Sequence, residues 1–397
     1  MKLAKISTLT LLLATSVTEA QEIEFELSGN VEGQLTAFTE EGRFAGQGYR
    51  HSLSLSVEPE LYWEWDRGDS SVVFKPFFRV DQRDGERTHT DIRELLWTHV
   101  GDDWEVKAGL GKVFWGVTEF QHLVDTINQT DAVESLDGEE KLGQSMVNLS
   151  FVRDWGIVDA FILPGFRERT FTGEKGRLRS GALIETDRAE YESAAGDKHI
   201  DLALRWSHTI DVIDVGVHWF RGTNREPVLR TVASSSRLVP YYEQMNQIGI
   251  DAQATIDSWL WKFEGLVRDT TSDRYAAAQA GLEYTYYGVF DSPADVGVLL
   301  EYGWDERGEA STANVQNDLF IGARFTLNNA ASTELLIGMG HDNDDHSESF
   351  SFEGSHRIGS QWKVSLEGQY FNAKRSTDTL ADLAKDSYLQ LSLAHYF

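Results

Sequence analysis

Long runs that alternate strictly between apolar and polar side chains fill almost the whole chain, and no other feature restricts its fold as tightly. From Ile23 the odd positions read Ile23, Phe25, Leu27, Val31, Leu35 and Ala37, while the even ones read Glu24, Glu26, Ser28, Asn30, Glu32, Gln34 and Thr36. Successive side chains of a strand point to opposite faces, so such a run is a strand lying between two different solvents. The pattern returns in Leu53, Leu55 and Val57 against Ser52, Ser54, Ser56 and Glu58. It returns again in Ile200, Leu202, Leu204 and Trp206 against Asp201 and Arg205, and in Trp259, Trp261, Phe263 and Val267 against Lys262, Glu264 and Arg268. Soluble sandwich strands are usually about five or six residues long. These runs are mostly nearer the roughly ten residues with which a tilted strand crosses a bilayer.

Composition narrows the classes further. The 397 residues carry 64 Asp+Glu against 36 Lys+Arg, a net charge of −28, which argues against nucleic acid or anionic lipid as the main partner. There is no cysteine, hence no disulfide framework, thiolate metal site or cysteine nucleophile. Residues 1–20 read as a secretory signal: Lys2 and Lys5, an apolar stretch from Ile6 to Val17, then Thr18-Glu19-Ala20 as a cleavage site. The stretch is shorter than the roughly 20 residues of a spanning helix. Residues 21–397 are then a single domain.

Strands are expected near 23–37, 51–65, 71–81, 92–100, 103–112, 146–153, 156–163, 199–208 and 212–221. The remainder fall near 244–256, 259–268, 275–288, 295–304, 317–327, 332–341, 348–356, 360–371 and 386–397. The fold class is therefore all-β, a transmembrane antiparallel up-and-down barrel of about 18 strands, with sixteen as the alternative. Connections alternate between short (Asp66–Asp69, Asp257–Ser258) and long (Thr39–Arg50, 113–144, 164–198), as short periplasmic turns and long outer loops do. Trp63, Trp65, Trp97, Trp104, Trp155, Trp206, Trp259, Trp261 and Trp362 fall near the short turns, where a headgroup-level aromatic girdle would sit.

The last strand carries a family resemblance. Leu389, Leu391, Leu393 and His395 alternate up to Tyr396 and a terminal Phe397. This resembles the closing strand of Gram-negative outer-membrane β-barrel proteins of the porin type. The resemblance implies an outer-membrane location with both termini periplasmic, insertion by the barrel-assembly machinery through the strand ending in Phe397, and contact with outer-membrane lipid and lipopolysaccharide. A narrower stretch, Gly111-Lys112-Val113-Phe114-Trp115-Gly116 followed by Asp125-Thr126-Ile127-Asn128 and Asp131, is similar to alginate-export-like eighteen-stranded porins.

A barrel of this width leaves an aqueous interior unless something fills it. Two connections are long enough to fold inward. The first, 113–144, is acidic, with Asp125, Asp131, Glu134, Asp137, Glu139 and Glu140; the second, 164–198, is basic, with Arg167, Arg169, Lys175, Arg177 and Arg179. If both line the pore, opposed charged strips would select solutes by size and charge. Of the inward strand positions, Glu58, Glu60, Lys75, Arg79, Arg205, Glu264 and Arg324 are the selectivity candidates. Over all the inward strand positions, which also include Glu24, Glu26, Glu32, Glu301, Glu334 and Glu367, acidic residues are in excess and favour cations, and the lack of dense basic ladders counts against an acidic-polysaccharide pore.

The expected function is passive diffusion of small hydrophilic solutes. A substrate-specific or polysaccharide-export pore and a non-conducting structural or surface-interaction barrel are the alternatives. No nucleophile–base constellation marks an enzyme, and His208 and His218 are expected at opposite ends of adjacent strands. His341-Asp342-Asn343-Asp344-Asp345-His346 is the most metal-like string, but it lacks the spacing of a Ca²⁺ loop and reads as a loop tip. No cofactor or metal is expected; a homo-oligomer is left open.

Overall fold

The computed structural model describes residues 23–135, 138–232, 237–308, 311, 316–375 and 378–397. The signal segment read in residues 1–20, and Asp137, lie outside the described residues. The first strands are β1 (Glu24–Phe38), β2 (His51–Trp65), β3 (Ser70–Asp81), β4 (His89–Val100), β5 (Trp104–Gly111), β6 (Gln144–Arg153) and β7 (Gly156–Pro164). After a short β8 (Glu190–Tyr191) come β9 (Ile200–Ile210) and β10 (Ile213–Thr223), then two more short strands, β11 (Val228–Thr231) and β12 (Leu238–Tyr242). The chain continues through β13 (Gln244–Ile256), β14 (Trp259–Thr270), β15 (Arg274–Tyr286), β16 (Asp295–Asp305) and β17 (Asn317–Thr326). It ends with β18 (Glu334–Asp342), β19 (Glu348–Ile358), β20 (Trp362–Asn372) and β21 (Tyr388–Tyr396).

Eighteen of these form one closed antiparallel wall. Consecutive wall strands pair, β7 with β9 and β10 with β13 where the short strands intervene. Closure comes from β1, which pairs Asn30 to Phe38 against Tyr396 to Tyr388 of β21. A closed ladder leaves no strand edge unpaired, which is what hydrocarbon demands of a backbone. The count is eighteen, not sixteen, and the strands begin and end within a few residues of the expected places.

The outer face is apolar: Leu53, Leu55, Ile248, Ile250, Leu389, Leu391 and Leu393 are exposed. Exposed apolar area so continuous is a lipid-facing band. Trp97, Trp104, Trp155, Trp259, Trp261 and Trp362 are exposed toward the short-turn end, and Trp304 at the other end. Two-residue turns suit Asp, as at Asp257-Ser258, where Asp257 takes a left-handed φ of 54°. β8, β12 and β11 make a separate three-stranded sheet at the long-loop end.

One irregularity re-aims side chains. The β3–β4 register shifts at Lys75/Pro76, where Lys75 faces Glu94 and Pro76 faces Ile92. Proline has no N–H to give the ladder, and bulges accommodate that. Arg93 is the extra residue; it turns inward and is 3% exposed.

Candidate functional site

Inside the barrel the decisive element is the connection from β5 to β6. Its described residues, 112–135 and 138–143, run through the interior and touch the wall in three zones. In the first, Trp115, Val124 and Ile127 pack with Met146 of β6, Phe161 and Leu163 of β7, Ala203, Phe220 and Met245. Trp115 meets the Phe161 ring edge-on at 5.9 Å and the His218 ring at 4.8 Å, and the Arg205 guanidinium lies 5.3 Å from its ring.

In the second zone, two inward glutamates hold the loop backbone. Glu264 of β14 accepts the N–H of Val117 (2.7 Å), the N–H and hydroxyl of Thr118 (2.9 and 2.7 Å) and the N–H of Val124 (3.3 Å). Glu301 of β16 accepts the N–H of Glu119 at 2.8 Å and of Phe120 at 3.2 Å. Glu119 in turn pairs with Arg324 (2.6 Å) and Lys262 (3.4 Å). Burial alone would raise its pKa, but these two cations outweigh burial and hold the carboxyl below the usual range. The Phe120 ring stacks on Phe320 at 5.0 Å. It lies over Gly322 and Gly338, register partners whose added Cβ atoms would come within 3.1 and 2.7 Å of that ring.

In the third zone the returning limb meets β3 and β4. Asp131 receives Arg93 at 2.5 Å, and Glu134 pairs with Arg79 at 2.9 Å with His89 3.6 Å away. Asp125 lies 3.3 Å from Lys141; burial pushes its carboxyl up, and Lys141 only partly offsets that.

The basic second connection, 165–199, lies against other groups. Arg167 donates to Asp91 at 2.7 Å, and the Arg169 N–H donates to the Tyr242 hydroxyl at 3.0 Å. Arg177 is ion-paired to Asp386, Arg179 donates to the carbonyls of Ser180 and Glu174, and Lys175 is exposed. The two loops touch directly where the Thr170 hydroxyl donates to Asp131 at 2.7 Å. So Asp125, Asp131 and Glu134 lie beside basic partners rather than facing the second loop's arginines across open water. Glu139 and Glu140 are exposed.

The wall candidates divide. Arg79, Arg205, Glu264 and Arg324 are engaged, Arg205 with Asp251 through two bonds of 2.6 and 2.7 Å. Lys75 bridges Glu60 (2.9 Å) and Glu94 (3.2 Å). Glu58 is half-buried and makes no ion pair among the described residues. On the remaining side of the interior, Glu32, Gln34, Ser351, Ser365 and Gln369 stay partly exposed and Glu353 is exposed. These belong to β1, β19 and β20, away from the main contacts of the first loop.

Sequence reasoning missed Arg93 and Asp91, because strict alternation without the bulge puts both on the lipid side. It left Glu301, read as an inward carboxylate, out of the selectivity candidates, and it missed the ring seat of Phe320, Gly322 and Gly338. The inward aromatics Phe161, Phe77 and Phe320 each receive a partner: Trp115, Arg93 and Phe120. His208 and His218 are not at opposite strand ends; their partners Val215 and Arg205 place them three register steps apart. In the string 341–346, Asp342 accepts the N–H groups of Asp344 and Asp345, and Asp345 pairs with Arg375 at 2.7 Å. Its carboxylates brace a turn.

No protein-family model matches the chain, and no curated protein matches it in sequence. Solved structures similar to it include a triple mutant of the Rh. blastica porin, at 11% identity and TM-score 0.45, covering 94% of this chain and 100% of that one. Another is a loop-deletion mutant of OmpT, an outer membrane protein of Vibrio cholerae, at 11% identity and TM-score 0.47, covering 94% and 99%. The fold rests instead on this chain's own strand pairing. A closed, even-stranded antiparallel wall with an apolar exterior and a polar interior has the architecture of an outer-membrane β-barrel of the porin type.

Proposed function

We propose that the protein is an outer-membrane channel for passive diffusion of small hydrophilic solutes, narrowed by the crossing loop 112–143 and favouring cations. The observation that carries this reading is the asymmetry of the interior. The loop is fastened to β3–β4, β7–β10 and β14–β17, while Glu32, Glu58, Glu353 and their polar neighbours on β1, β2, β19 and β20 keep contact with the interior solvent. A passage along that side is lined mainly by carboxylates, with Lys363 and Arg357 as its basic residues toward the short-turn end, and an excess of one charge sign sets ion preference. Its size would be set by the loop's return limb.

In this reading the short turns and both termini face the periplasm of a Gram-negative cell, and the long connections face out toward lipopolysaccharide. β21 serves as the strand presented to the assembly machinery. No catalytic residue is assigned.

A second reading is a barrel closed by its own loops. The fully buried pair Val124 and Ile127 favours it, because a dry apolar cluster inside a lumen is what a plug has. Osmotic swelling of vesicles bearing the purified protein distinguishes the two. Swelling in small sugars that slows with sugar size is expected; rates equal to those of protein-free vesicles reject the channel.

A further inference from the structure

The second connection contains one arginine whose surroundings differ from every other candidate. Arg177 has a side chain only 2% exposed, although it lies on a loop at the barrel mouth. Its Nε pairs with Asp386 at 2.6 Å and one Nη donates to the Lys385 carbonyl at 2.5 Å, both in the connection between β20 and β21. The other Nη donates to the carbonyls of Tyr49 (2.8 Å) and Glu40 (3.2 Å), both in the connection between β1 and β2. The guanidinium also lies 4.1 Å from the centre of the Phe38 ring. One side chain therefore ties a third loop to the two hairpins that flank the closure of the barrel.

Its neighbours repeat the tie. Gln47 donates to the Gly176 carbonyl at 2.5 Å, and the Tyr49 hydroxyl donates to the Lys175 carbonyl at 2.8 Å. The Leu178 N–H donates to Asp386 at 2.9 Å, and the Gly181 N–H to Asp382 at 2.6 Å. Leu178 takes a left-handed φ of 59°, which a leucine adopts only when its surroundings impose it. Beneath the segment is a cavity of about 110 Å³, bounded by Thr172 and Arg177 on the mouth side, by Glu134 of the first loop, and by Thr36, Gln369 and Gln390 of the wall.

We propose that residues 172–182 form a strap across the mouth, that Arg177 is its clasp, and that the clasped strap sets the size limit for entry into the passage along β1, β2, β19 and β20. The proposal rests on the channel reading above and adds a second, outer restriction to the first loop. Arg177 is a positioning residue here: it never faces the solute, and it acts by holding the strap to both hairpins. Charge-assisted hydrogen bonds of a buried guanidinium are the strongest of the strap's ties, so removing the guanidinium takes away its links to both hairpins at once and leaves the strap held only by the weaker neighbouring bonds.

The absence of cysteine makes the test clean. Arg177→Ala is compared with the unaltered protein by single-channel conductance and by swelling of vesicles in sugars of graded size. The expected result is a higher conductance and passage of sugars that the unaltered protein excludes. The strap is then fastened by other means with the pair Asp84→Cys and Gly176→Cys in the Arg177→Ala background. A Cβ at Gly176 would lie 2.7 Å from the Asp84 Cγ but also 2.3 Å from the Thr172 Cγ2, so Thr172→Ala accompanies the pair; Gly176 is not in the left-handed region, and a disulfide is then within reach. Oxidation should restore the original conductance and size limit, and reduction should abolish them again; such reversal in one preparation cannot come from misfolding. Conductance and size limit unchanged in a folded Arg177→Ala barrel overturn the strap alone. Silence of every protein, with and without the clasp, overturns the channel reading and the strap with it.

Discussion

Glu264 and Glu301 differ from other inward glutamates in what they accept. Each takes backbone N–H groups of the crossing loop, and Glu264 is fully buried. Replacing Glu264 with Ala leaves several donors in the interior without an acceptor, at about 1–3 kcal/mol for each buried group left unsatisfied. A lower urea midpoint in vesicles, with noisier channel traces, is the expected outcome; an unchanged midpoint would deny the carboxylate its role. Glu119 gives a pH prediction of defined sign. Because Arg324 and Lys262 hold its pKa below the ordinary value, its pairing contributes fully above the ordinary glutamate range and is lost as pH falls through the depressed value. Glu119→Gln and the unaltered protein should therefore differ in stability at neutral pH and converge in strong acid, as urea titrations at several pH values can show. At this scale the sequence exposed the inward carboxylates through simple alternation. It hid Asp91 and Arg93, because a bulge at Pro76 reverses the alternation locally and nothing in β4 itself announces it.

The strands were legible as elements because period two has one structural meaning and each run is long enough to show it. Their lipid-facing side can be probed at Ile248, which is 58% exposed in the middle of β13. Ile248→Arg should cost about 2–4 kcal/mol in urea unfolding from vesicles, whereas an arginine on the lumen face should cost far less. The path of the first loop was not legible, because it is written in residues remote from it in the chain. Gly322 and Gly338 leave a bare patch on the wall, and Phe120 fills it. Gly338→Leu would occupy that patch and expel the ring, an overpacking cost of about 1–3 kcal/mol. Faster trypsin cleavage at Lys112 or Lys141 of the folded barrel would report the freed loop. Unchanged cleavage would mean that Phe120 is not what seats it.

At the scale of the whole molecule, charge and closure together decide what the barrel can pass. The chain is strongly acidic, and the side the crossing loop leaves uncovered keeps Glu32, Glu58 and Glu353 in contact with solvent, while most of the inward arginines are already paired. Eighteen strands and the alternation of short and long connections could be read from the sequence. The division of the interior into a filled side and a lined side could not, since it arises from contacts among strands far apart in sequence. That division is the central claim, and planar-bilayer recording of the purified protein across a salt gradient tests it most directly. The account predicts stable conductance steps with a reversal potential of cation preference. Anion preference, or silence from a barrel shown to be folded, would contradict it.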